Sequence, residues 1–356
     1  MGRMFNTFTR LGEGVHRFTR AGHRAAVGGP NVTIVGGVHG NERIGVEVLD
    51  ALRLALLRAS PLTVAGNLFP RVTRGSLTLV YGNPRAQRIG KRGSDPHADL
   101  NRCFPRDLLD VPETELGSDY EHRRAKELAP LFAASDLLVD LHSTNKPSPP
   151  FVRLAGYDKV PSQLLDISAR LPTKMLLLDP KHLIGDGNVA LTDEFVGVHG
   201  GMGVCFESGL ASDLSQSKID SITTGLLRIL QHDMDAIEFV DAAGQRCSTG
   251  ANDRIDDEAT AQQREVFEIT QVFKLTSRGF RWAEGVGEEN FQYVPARQSI
   301  GFVGSDPFIV NYDSYIVFPK IPALWKINSY VLAGSGLLER GRWVTNVSHC
   351  FFATLL

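Results

Sequence analysis

Two short apolar runs in this chain each lead into a histidine. Val32-Thr33-Ile34-Val35 is followed by a Gly-rich turn and then His39-Gly40-Asn41-Glu42, and Leu137-Leu138-Val139-Asp140-Leu141 ends on His142. Runs this short and this apolar read as strands buried on both faces of a sheet. In an open α/β sheet, ligands bind beyond the carboxyl ends of such strands. His39 and Glu42 stand three residues apart at a loop-to-helix junction, so both can point to one side. With His142 they make two imidazoles and one carboxylate, a three-ligand zinc set that leaves a fourth position open. The open position separates a catalytic zinc from a structural one. Each residue alone has a bland explanation, a turn histidine or a first-turn acid favoured by the helix dipole. Their convergence on strand ends carries the metal reading.

The rest of the chain to about residue 233 repeats the pattern of strand and helix. Strands are expected at about 31–35, 77–81, 136–141, 151–155 and 174–178, with a further apolar stretch Gly203-Val204-Cys205-Phe206 before Glu207. Helical spacing covers about 44–58, 119–134, 161–170 and 215–233. Residues 1–30 read as irregular, and 82–107, broken at Asn83-Pro84, as a long functional loop. The pattern predicts an α/β fold, a mixed and mostly parallel sheet with helices on both faces. After a polar stretch at 243–263 the signals turn β-like (Val266–Thr270, Phe308–Val310, Tyr315–Phe318). The expected organisation is a catalytic domain over 1–242, a linker over 243–263 and a smaller β-rich domain over 264–356.

Composition removes several function classes. A net charge of -2 from 38 basic and 40 acidic residues gives no basic excess for nucleic acid. No apolar run approaches the ~18 residues of a membrane span. The N-terminus lacks a secretory pattern, so Asn31-Val32-Thr33 and Asn346-Val347-Ser348 read as chance sequons. Four widely spaced cysteines form no C-x-x-C pair and fit a reducing, cytoplasmic setting. There is no H-E-x-x-H, G-x-S-x-G or Walker loop. Gly185-Asp186-Gly187-Asn188-Val189-Ala190 fits a dinucleotide pattern only loosely and lacks its βαβ setting.

Two further groups suit a zinc hydrolase. Cleaving an amide needs a base that takes a proton from water and later returns it to the leaving amine. Glu207, at a buried strand end between Phe206 and Ser208-Gly209, is placed for desolvation to raise its pKa. A salt-bridged sheet-end glutamate is the competing reading. The loop from Gly90-Lys91-Arg92 to Asp99-Leu100-Asn101-Arg102 offers a guanidinium fork and an amide for a substrate carboxylate, and a second Arg for a polarised carbonyl. A solvated basic loop is the alternative.

Together these segments resemble the succinylglutamate desuccinylase/aspartoacylase family of the zinc carboxypeptidase-like superfamily. The resemblance rests on Gly36–Glu42, Asn83-Pro84-Arg85-Ala86, Gly90-Lys91-Arg92, Asp99–Phe104, Tyr120–Ala125, Asp140-Leu141-His142 and Phe206–Gly209, spread over about 31–210. It implies one zinc per chain on His39, Glu42 and His142, and Glu207 as general base and acid. It implies Arg92 as the residue that polarises the acyl carbonyl, with Arg88 as the alternative. It implies substrate binding by Asn101 and Arg102, with Asp99 in support. The implied reaction is hydrolysis of an N-acyl amino acid, N-acetylaspartate- or N-succinylglutamate-like, to a carboxylate and a free amino acid. The partner is then a small molecule, with no nucleic acid or membrane, and a homo-oligomer stays open. The competing readings are a zinc carboxypeptidase acting on peptides and a non-catalytic metal- or carboxylate-binding protein on the same fold.

Overall fold

The computed structural model describes residues 5–23, 28–95, 99–116, 119–247, 264–275, 280–319 and 348–355. In chain order the elements are β1 (Asn6–Gly12), β2 (Val15–Arg20), β3 (Asn31–Gly36), α1 (Ile44–Leu56), β4 (Phe69–Val72), β5 (Ser76–Tyr81), α2 (Pro84–Ile89), α3 (Arg106–Leu109), α4 (Tyr120–Ala133), β6 (Leu137–Thr144), β7 (Phe151–Ala155), α5 (Ser162–Arg170), β8 (Met175–Asp179), α6 (Thr192–Val198), β9 (Met202–Leu210), α7 (Gln216–Arg228) and β10 (Ile237–Val240). A β-rich region follows with β11 (Glu265–Leu275), β12 (Phe280–Trp282), β13 (Gln292–Val294), β14 (Ser299–Val303), β15 (Asp306–Ile309), β16 (Ser314–Val317) and β17 (Ser348–Leu355).

Twelve strands form one sheet in the order β1-β2-β5-β3-β6-β9-β7-β8-β11-β17-β16-β13. Its centre, β5-β3-β6-β9, is parallel, while β7 runs antiparallel to β9. All eight residues of β6 are buried, as the unbroken apolar run requires of a strand covered on both faces. The strand period of two then sorts its side chains. Leu137, Val139 and Leu141 join Val32 and Ile34 in a core with α1, α5 and α7. Leu138 and Val35 join a second core with Ala125, Leu128 and Phe132 of α4 and Phe195 of α6. The expected α/β sheet with helices on both faces is the observed fold.

Two local expectations fail for identifiable reasons. The described part of 1–30 is not irregular: β1 and β2 pair as an antiparallel hairpin that joins the sheet through β5. Its outer face is solvated, with Phe8 and Leu11 exposed, so the apolar alternation is diluted by Arg and Thr. Asn83-Pro84 does not break the chain but starts α2. The Asn83 side chain accepts from the Ala86 N–H at 3.0 Å, and Pro84 occupies the first turn, where its missing N–H costs nothing.

The sheet continues into the C-terminal region, because β11 pairs in parallel with β8 from Glu265↔Met175 to Glu268↔Leu178. Most of the expected linker, 248–263, lies outside the described residues, as do positions 346–347 of the second sequon. Among the described residues no helix is long and apolar enough to cross a membrane.

Candidate active site

Small residues bring the first pair of candidate ligands onto the sheet. A Cβ on Gly36 would lie 2.6 Å from the Gly45 carbonyl carbon, and one on Gly45 would lie 2.9 Å from the Leu141 oxygen. Only glycines allow the start of α1 to sit this close to β3 and β6. The turn before α1 therefore holds His39 and Glu42 above the ends of those strands, and Glu42 N–H donates to the His39 carbonyl at 3.1 Å.

His39, Glu42 and His142 are buried together, and their ligand atoms lie within 4.8 Å of one another. Nδ1 of His39 is 2.8 Å from Glu42 Oε1, and Nδ1 of His142 is 2.9 Å from Glu42 Oε2. Each Nε2 faces a different carboxylate: His39 meets Asp99 Oδ1 at 3.0 Å and His142 meets Asp140 Oδ2 at 2.9 Å. A carboxylate on Nε2 fixes the tautomer with its proton there and leaves the Nδ1 lone pair for a metal. Two such imidazoles and a carboxylate, all buried, fit a zinc ion. Burial alone would raise the Glu42 pKa, but the two imidazoles hold it well below the usual carboxylate range. Burial would lower the His142 pKa, and Asp140 and Glu42 instead hold it well above the usual value.

The other expected residues stand around this set. Arg92 Nε and Nη2 reach Asp99 Oδ2 at 3.0 and 2.9 Å, and Nη1 lies 3.8 Å from Glu42 Oε1. Asp99 thus ties His39 to Arg92. Asn101 Oδ1 accepts from the Thr192 N–H at 3.0 Å, and its Nδ2 lies 3.4 Å from His142 Nε2. Arg102 Nη1 donates to the Asn101 carbonyl at 2.6 Å. Arg88 is elsewhere, paired with Glu13 at 3.0 Å on the surface. His39, Glu42, Arg92, Asn101, Arg102, His142 and Glu207 all line one cleft.

Glu207 lies within β9 rather than after it, as the register partner of His142 on β6. It is 8% exposed, and its Oε2 has no hydrogen-bond partner among the described residues. Burial, reinforced by the charge of Glu42 and opposed by His142, pushes its pKa up to about 7. A carboxyl poised there can take up and release a proton near neutrality.

Three features of the site were not singled out from sequence. Asp140 orients His142, and its Oδ2 also accepts from the Thr192 hydroxyl. Arg153, 1% exposed on β7, lines the cleft while bound to Asp179, Asp193 and Glu194. Phe318 brings the C-terminal region into the cleft wall. The first two had a signal: a charged residue inside an apolar strand, in Leu-Leu-Val-Asp-Leu and Phe-Val-Arg-Leu-Ala, must be buried with partners. Phe318 had none, since nothing local tells which loop folds back onto the sheet.

The family described as the succinylglutamate desuccinylase/aspartoacylase catalytic domain matches residues 28–233. The N-acyl-aromatic-L-amino acid amidohydrolase (carboxylate-forming) A of Danio rerio is 32% identical over 189 residues, 49% of this chain and 51% of that protein. The succinylglutamate desuccinylase of Serratia proteamaculans is 33% identical over 178 residues, 49% of this chain and 46% of that one. The matched part thus spans about half the length of these curated relatives. Among solved structures, the succinylglutamate desuccinylase from Chromobacterium violaceum superposes with a TM-score of 0.64 at 20% identity, over 99% of this chain and 91% of that one. Murine aminoacylase 3 gives 0.57 at 16% identity, over 94% and 97%. These two share the fold. With more than half of its length matched by the family's catalytic domain, the chain belongs to the succinylglutamate desuccinylase/aspartoacylase family.

Proposed function

We propose that the chain is a zinc-dependent amidohydrolase that cleaves an N-acyl amino acid to a carboxylate and a free amino acid. The observation that carries this reading is the pairing of His142 with Glu207. A carboxyl with a pKa near 7 sits beside a buried His-Glu-His set whose second nitrogens are held by carboxylates. The family's named members act on N-acyl amino acids or are described as doing so.

His39, Glu42 and His142 would hold the ion. Zinc there supplies Lewis acidity toward a carbonyl and toward water. Glu207 takes the proton of the attacking water and delivers it to the leaving nitrogen, so the amine departs neutral. Arg92, at the cleft edge and fixed by Asp99, turns its remaining donor toward the carbonyl oxygen as negative charge builds there. Asn101 and Arg102 hold the substrate carboxylate, with the flat guanidinium as the main anchor. Asp99 and Asp140 keep the two imidazoles in register.

Zinc content of wild type and His142→Ala tests the ligand set. One zinc per wild-type chain and loss of zinc in the variant are expected; full occupancy in His142→Ala would overturn the assignment. Parallel assays on a short peptide separate this reading from a carboxypeptidase.

A further inference from the structure

We propose that Thr192 is a positioning residue of the site: its hydroxyl fixes the carboxylate of Asp140 and, through it, the imidazole of His142. This role rests on the zinc reading of the site and deepens it.

His142 presents Nδ1 to Glu42, and a metal ligand of this kind is oriented by whatever holds its other nitrogen. The holder is Asp140, whose Oδ2 lies 2.9 Å from Nε2. Asp140 is itself held at one atom. Its Oδ1 has no hydrogen-bond partner among the described residues, so its side-chain hydrogen bonds all fall on Oδ2. Beside the imidazole, the other donor there is the Thr192 hydroxyl. A carboxylate has no hydrogen to give, so the hydroxyl donates. Asp140 and Thr192 are both 0% exposed, so bulk water stands at neither of them to replace a lost donor. Without the hydroxyl, Asp140 can turn either oxygen toward the ring, and the ring loses its fixed aim.

The hydroxyl is aimed in turn by an anchored backbone. Thr192 N–H donates to Asn101 Oδ1 at 3.0 Å. The next two residues of α6 are clamped to β7. Asp193 receives Arg153 Nη2 on both oxygens at 3.0 and 2.9 Å, and Glu194 receives Nη1 at 2.8 Å. Glu194 Oε2 also accepts from the Ala190 and Leu191 N–H groups at 3.0 and 3.3 Å, which closes the turn before Thr192. A Cβ on Gly203 would lie 1.9 Å from the Asp193 carbonyl oxygen, so the start of α6 sits hard against β9. Branching at Cβ then restricts the Thr192 rotamer. A neutral donor also suits this position. A cation there would repel an ion held by His142, whereas a hydroxyl holds the carboxylate without adding charge.

The test reads zinc affinity and the His142 ring separately on the full chain. Thr192→Val removes the hydroxyl at nearly constant volume. It is expected to weaken zinc binding about tenfold in competition with a chelator, and Thr192→Ser to stay within about threefold of wild type. On an Asp140→Ala background the valine is expected to add less than about twofold, because Thr192 acts through Asp140. In metal-free, 15N-histidine-labelled protein, the His142 Nε2 proton is identified by its loss in His142→Ala. It is expected to exchange with water at least about tenfold faster in Thr192→Val and at the wild-type rate in Thr192→Ser. A merely structural hydroxyl would lower the melting temperature and move neither readout. Thr192→Ala takes the place of Thr192→Val if the valine variant does not fold. Wild-type zinc affinity or unchanged exchange without the hydroxyl, a serine variant as impaired as the valine one, or full additivity with Asp140→Ala would each overturn the role. A wild type that binds no zinc would remove the zinc reading, and proton exchange in the metal-free protein would still decide whether Thr192 fixes His142.

Discussion

His142 and Glu207 are register partners on adjacent parallel strands, and the strand period puts both side chains on the sheet face that carries α4 and α6. The same face receives Asp140, two residues before His142, and Arg153 and Cys205, which are partners across β7 and β9. One periodicity thus collects a candidate metal ligand, the acid that orients it, the proposed base and a buried cation on one face of the sheet.

Glu207→Gln keeps the shape of the side chain and removes its proton affinity. Turnover is expected to fall by about 10²–10⁴-fold, the usual share of a general base. Zinc content is expected to stay at the wild-type level, as read by metal analysis of the same sample.

In the proposed zinc site Asp140 would act on the ion through His142. Asp140→Asn is expected to weaken zinc binding by about 10–100-fold, measured by competition with a chelator. The fold should remain, as circular dichroism would check.

A zinc ion that binds only the folded chain would stabilise it by about 2.7 kcal/mol at a free concentration one hundred times Kd. Thermal unfolding is therefore expected to shift upward on zinc addition, and His39→Ala should abolish the shift.

Glu207 also makes metal-free stability depend on pH. Its pKa rises from the ordinary 4.5 to about 7 on folding, so the native state holds the extra proton between those values. The resulting stability is fully present below about 4.5 and is lost as pH rises through about 7. The stability of wild type relative to Glu207→Gln should fall across that window by about 3 kcal/mol, measured by denaturant unfolding with a chelator present.

Arg153 holds three buried carboxylates. Arg153→Met leaves Asp179 and Asp193 with no salt-bridge partner among the described residues, Glu194 keeping only His182, and is expected to cost about 3–5 kcal/mol of stability by chemical denaturation.

Much of this was legible in the sequence because parallel strands buried on both faces read as unbroken apolar runs. Those at 31–36 and 137–144 place His39 and His142 without further help. The loop residues Arg92, Asp99, Asn101 and Arg102 were legible as chemistry, but their pairing was not. That Asp99 is shared between His39 and Arg92 depends on how the turn at Leu100–Arg102 packs. The β1-β2 hairpin hid behind a solvated face. Phe318 depends on long-range folding of the C-terminal region, to which no local pattern points.

The most direct measurement is free-amine release from a panel of N-acyl amino acids by the zinc-loaded chain, with Glu207→Gln run in parallel. Release from at least one substrate, lost in Glu207→Gln while one zinc per chain stays bound, is the expected result. No release from any substrate, or release by Glu207→Gln at the wild-type rate, would contradict it.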